Sequence, residues 1–199
     1  MKTLLSTLLA GALLASASAA CASVITYSAT LNGANENPFN ASLGTGTATA
    51  TIDDVLHTMT LHVAFSGLTG TTTAAHIHCC TSQPLVGNVG VATTTPTFAD
   101  FPLGVTAGIY DRILDLTLST SYNPAFVNAN GGSPASAEAA LLLGMAQGRS
   151  YLNIHTTTSG GGEIRGFLVA NAVPEPGGVA LLAVGGAMLF ALRRRERRE

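Results

Sequence analysis

All five histidines of the 199-residue chain fall in its middle: His57, His62, His76, His78 and His155. His76 and His78 flank Ile77, so on a β-strand their imidazoles project to one face while Ile77 points into the core. His155 closes the run Tyr151-Leu152-Asn153-Ile154 and shares a strand face with Tyr151 and Asn153. If the two strands lie close together, three imidazoles meet on their non-core faces. Three neutral imidazoles suit zinc or copper, and a His-x-His pair on a strand can hold one ion without strain. The alternative is structural, with each ring bonded to a loop carbonyl, a Thr hydroxyl or Glu163. Cys79-Cys80 follows His78 directly. Three readings are open for this pair: a vicinal disulfide closing a strained eight-membered ring, intermolecular crosslinks, or two thiolates added to the His ligands. Glu163 and Arg165 alternate with Ile164, so they share a face and are expected to form an ion pair, with each other or across strands, at the sheet surface. Asp53-Asp54 reads as a turn, which forms commonly with or without calcium. No nucleophile elbow, phosphate loop, dinucleotide fingerprint or zinc-protease motif is present.

The elements that must position these groups are mostly strands. Alternation with period two marks residues 24–31, 45–52, 57–65, 73–78, 109–118, 150–155 and 163–169. In the third of these, His57, Met59, Leu61, Val63 and Phe65 share one face. Turn residues separate the strands at Asn32-Gly33, Asp53-Asp54, Gly67 to Gly70, Gly131-Gly132 and Gly160 to Gly162. Residues 93–106, with Pro96 and Pro102, read as a long loop or an excursion along a strand edge. One helix is expected, with Ser133 or Ser136 as N-cap, Glu138 in its first turn, Leu141, Leu142 and Met145 as its apolar side, and Gly148 as its stop. The pattern predicts an all-β fold, an antiparallel sandwich or barrel with one short helix.

Composition separates this domain from the chain's two ends. The whole chain is 47% hydrophobic and only 10% charged, with a mean hydropathy of +0.38. Residues 23–172 differ, carrying three arginines against eight carboxylates and no lysine. Such an acidic surface excludes a track for phosphates, and no nucleic-acid partner is expected. Residues 1–22 read as a signal peptide: Lys2, an apolar stretch from Leu4 to Ala15, then small residues that fit signal peptidase cleavage. Residues 177–192 are apolar and uncharged, and Arg193 opens an arginine-rich tail, 193–199, which favours the cytoplasmic side.

Two resemblances follow from these residues. Val173-Pro174-Glu175-Pro176, an apolar segment and an arginine cluster, in that order, resemble the PEP-CTERM sorting signal of Gram-negative bacteria. The resemblance implies export, transient membrane anchoring by 177–192, cleavage near 173–176 by an exosortase, and delivery to the envelope, surface or extracellular matrix. Thr30 to Pro38, Gly44 to Ala48, Ala74 to His78, Tyr151 to Thr156 and Gly162 to Gly166 resemble the CHRD domain, named from the growth-factor antagonist chordin. That resemblance implies an immunoglobulin-like or superoxide-dismutase-like β fold and an extracellular location. It marks Glu36, Glu163, Arg165 and Gly166 as family motif residues. Copper-zinc superoxide dismutases carry a similar His-x-His pair with a later strand histidine. His57 and His62 lack the context for their bridging ligand and second metal, so dismutase activity is not expected. The expected function is therefore a binding or structural role without turnover, with exopolysaccharide or surface proteins as partners. The rival is an extracellular copper or zinc protein with a redox role, built on His76, His78 and His155.

Overall fold

The computed structural model describes residues 24–171. The signal peptide, the 173–176 motif, the 177–192 segment and the basic tail lie outside the described residues. Among those described, no helix is long and apolar enough to cross a membrane.

Eight strands run antiparallel: β1 (Val24–Asn32), β2 (Thr45–Asp53), β3 (Thr58–Ser66), β4 (Thr72–Cys79), β5 (Gly108–Asp115), β6 (Ser150–Thr156), β7 (Ile164–Phe167) and β8 (Val169–Ala170). They form one sheet in the order β4-β6-β7-β1-β2-β3-β5, with β8 continuing beside β1. Thr, Val, Ile and Ala at alternating positions suit a pleated strand that buries one face. Ala48, Ala50 and Ile52 of β2, Met59, Leu61, Val63 and Phe65 of β3, Ile77 of β4, and Leu152 and Ile154 of β6 join a single buried cluster. Because both halves of the sheet feed the same core, the sheet curls around it as a half-barrel. The expected all-β antiparallel class is what the chain adopts.

Two helices lie between β5 and β6, α1 (Pro124–Ala129) and α2 (Pro134–Ala146). Ser133 caps α2 through the Ser136 amide at 3.2 Å, and the Ser136 hydroxyl accepts from the Ser133 amide. Leu141 and Met145 seal the core. Glu138 is in the second turn and buried, not in the first turn as its sequence position suggested. The short helix α1 was not expected; Asn123 caps it by accepting from the Ala125 amide, and Pro124 fits its first position.

His57 departs from the strand reading as well. It precedes β3 in a turn with φ of 52°, and its Nδ1 lies 2.9 Å from Glu138 Oε1. The turn is set by Asp53, whose Oδ1 accepts the amides of Val55 and Leu56. That carboxylate oxygen is occupied in building the turn.

The excursion expected at 93–106 begins earlier, and residues 89–106 run along β4. Their amides bond the free edge of β4, from Ala92 to the Ile77 carbonyl, Phe98 to the Ala75 carbonyl and Gly104 to the Thr72 carbonyl. This covers an edge that would otherwise be open.

Candidate metal centre

β4 and β6 are hydrogen-bonded neighbours, with His76 opposite Asn153, His78 opposite Tyr151, and Ala74 opposite His155. The alternation that buries Ile77, Leu152 and Ile154 therefore turns His76, His78 and His155 to the other face of the same strand pair. It is the non-core face expected, but it is covered. His76 and His78 are only 6% and 8% exposed. Segment 89–98 passes over them and supplies two of their hydrogen-bond partners.

Each imidazole gives one nitrogen to a backbone carbonyl. His76 Nε2 lies 2.6 Å from the Pro96 oxygen, His78 Nδ1 2.8 Å from the Val89 oxygen, and His155 Nδ1 3.0 Å from the Gly160 oxygen. A carbonyl can only accept, so each of these nitrogens carries the hydrogen. The other nitrogen of each neutral ring is then a bare lone pair. Those three atoms, His76 Nδ1, His78 Nε2 and His155 Nε2, are buried without any hydrogen-bond partner. The three side chains can offer one ligand atom apiece, all within 4.8 Å of one another.

Electrostatics keep the rings neutral. Burial lowers the pKa of all three, more than the bonds to the Pro96, Val89 and Gly160 carbonyls raise it. His78 is pushed down to about 4, with repulsion from His155, His76 and Arg165 added to burial. At neutral pH the site thus presents three unprotonated donors and needs to release no proton to bind a cation.

The surrounding residues hold these rings in place. Tyr151 stacks on His78 at 4.8 Å with planes 6° apart, and the Arg165 guanidinium sits 4.6 Å above the Tyr151 ring. Arg165 is buried; it donates to the Asn35 carbonyl at 2.5 Å, the Gly87 carbonyl at 3.2 Å and Asn88 Oδ1 at 2.6 Å. Its Nε is 3.9 Å from Glu36 Oε2. Burial pushes the Glu36 carboxyl up to about 7 despite the pull of Arg165, Asn153 and the Asn37 amide.

The expected surface ion pair between Glu163 and Arg165 is therefore corrected. Both are buried and they serve different loops. Glu163 precedes β7 and accepts from the Ser42 hydroxyl and the Thr69 amide at 2.6 Å, the Gly70 amide at 3.0 Å, and the Thr156 hydroxyl at 2.6 Å. Gly166 packs so closely under the Thr30 carbonyl that a Cβ would overlap it.

Cys79 and Cys80 are joined to each other and are not brought into the His cluster. Cys79 alternates with His78 along β4, so it points into the core. Both sulfurs lie against helix α2 at Gly144, where a Cβ would overlap them. Of the open readings for this pair, thiolate ligation at the His site is thereby removed. A peptide carrying both cysteines is expected to be two hydrogens lighter than its reduced form. Alkylation of both thiols without prior reduction would contradict this.

The backbone carbonyls of Val89, Pro96 and Gly160 had no signal in the sequence, because any residue type offers one. Arg165 over Tyr151 had a weak one, in the period-two positions that put both on the histidine face.

The CHRD domain family model matches residues 27–168, from β1 to the end of β7. The chain belongs to the CHRD family. The matched stretch contains the three histidines, the cysteine pair, Glu36, Glu163 and Arg165. No curated protein and no solved structure matches the chain. The family match names no activity, so the chemistry follows from the site itself.

Proposed function

We propose that this CHRD protein is an exported metal-binding protein that holds one copper or zinc ion on His76 Nδ1, His78 Nε2 and His155 Nε2. The observation that carries this reading is the convergence of three buried, partnerless lone pairs whose rings are fixed from behind by carbonyls. Hydrogen bonds from the far nitrogen of a ligand imidazole to a carbonyl orient the ring and set its tautomer. A buried water is a poorer occupant, because it donates only two hydrogens and three acceptors would compete for them. A cation satisfies all three. With metal–nitrogen bonds of about 2.0–2.1 Å, a tetrahedral ion needs nitrogens roughly 3.3 Å apart. Side-chain shifts of about 1 Å supply that.

The same rings brace the loops at Val89, Pro96 and Gly160, so metal binding would add to a structural role already present. Export by signal peptidase, sorting by an exosortase, and a final place at the envelope or in an exopolysaccharide-rich matrix complete the proposal. They rest on the sequence of the two ends. Calorimetric titration of the purified chain with zinc and with copper(II) tests the metal site. One ion per chain is expected, and at a hundred times the Kd the melting temperature should rise by roughly 5–10 °C. If neither ion produces heat or shifts the melting temperature, the metal reading is refuted.

A further inference from the structure

The ligand set carries no charge of its own. Among the described residues, no carboxylate or cysteine joins the three imidazoles. The carboxylate of Glu36 lies near Arg165, yet it is not one of the converging atoms. An ion bound here keeps its full charge in a buried place. The Born cost of burying an ion rises with the square of its charge, so a divalent ion costs about fourfold what a monovalent one does.

Two features deepen that bias. Segment 89–98 covers His76 and His78, leaving them 6% and 8% exposed, so bulk water that would supply a fourth ligand is held off those two rings. The Arg165 guanidinium, held over Tyr151 while Tyr151 stacks on His78, opposes added positive charge at that ligand. Zinc(II) completes a tetrahedron with a fourth donor, and copper(II) prefers a tetragonal set. Copper(I) has a filled d shell and is satisfied by three neutral nitrogens.

Resting on the three-histidine reading, we propose that the site is built for copper(I), which it holds in preference to copper(II) and zinc(II). The test is anaerobic competition of the purified chain for copper(I) against a chromophoric copper(I) chelator. Parallel titrations use copper(II) and zinc(II), and X-ray absorption is recorded on the copper(I)-loaded chain. Copper(I) should bind at least a hundredfold more tightly than copper(II), which places the bound couple about 120 mV above that of the aqueous ion. The absorption spectrum should show three nitrogen neighbours. Equal or tighter binding of copper(II) or zinc(II), or four or more copper(I) ligands, would overturn this proposal while leaving a metal site intact. Absence of binding by all three ions would remove both.

Discussion

His155→Ala is expected to weaken copper or zinc binding by roughly 10²–10³-fold while leaving the domain folded. Structural metal sites bind with ~10–16 kcal/mol, so each of three or four ligands carries about 3–4 kcal/mol. His155 is the ring to remove because it is the least buried of the three, and its own loss costs one hydrogen bond, to Gly160. That bond is worth about 1 kcal/mol, a fall of ~2–4 °C in melting temperature without metal. The control is His62→Ala. His62 is half exposed and pairs with Asp111 at 2.6 Å, away from the cluster, so its replacement should leave affinity unchanged. Metal affinity measured by competition with a chelator decides the matter. Equal affinity in His155→Ala and the unmodified chain would exclude that imidazole as a ligand.

Glu163→Gln should produce the largest loss of stability, about 3–4 kcal/mol, or roughly 10 °C in melting temperature. The carboxylate is fully buried and accepts hydrogen bonds from two amides and at least two hydroxyls. A glutamine in its place would turn an NH2 group toward some of those donors and strand them. The pH dependence gives a second readout. Burial pushes this carboxyl up, but the bonds from Ser42, Thr156, Thr69 and Gly70 outweigh it and hold the pKa at about 2, against an ordinary value of 4.5. The unfolded chain therefore takes up the proton first. The stability due to Glu163 is fully present above pH 4.5 and is lost as pH falls from there to about 2, amounting to about 3 kcal/mol. Denaturant unfolding of both chains across that range should show the gap between them closing as the solution becomes acidic. Parallel curves would contradict the role given to Glu163. Glu36, whose raised pKa acts in the opposite sense between pH 4.5 and 7, is common to both chains and cancels.

The strands were legible because one face of each is apolar, and period two survives in sequence whatever covers the other face. The pairing of His76, His78 and His155 on one side of β4 and β6 followed from the same alternation. Burial of that side did not. It depends on residues 89–98 crossing over β4, and proline and threonine in a loop do not state which surface they will cover. Glu163 and Arg165 were misplaced for a related reason. Alternation gives a shared side, but Glu163 lies just outside β7 and turns to the 69–70 loop, while Arg165 reaches Asn35 and Asn88. His57 was misread because its apolar successors at 59, 61, 63 and 65 extend their period back into a turn that Asp53 had already closed. Adjacent cysteines left their bonding open in sequence; the structure ties them to each other against Gly144.

The central claim is that three specified nitrogens share one ion. A crystal structure of the chain grown with copper, with anomalous data collected at the copper edge, tests it most directly. One peak is expected within about 2.0–2.1 Å of His76 Nδ1, His78 Nε2 and His155 Nε2, with the Pro96, Val89 and Gly160 carbonyls still bonded behind the rings. No peak between the three rings, or copper bound only elsewhere on the chain, would contradict the account.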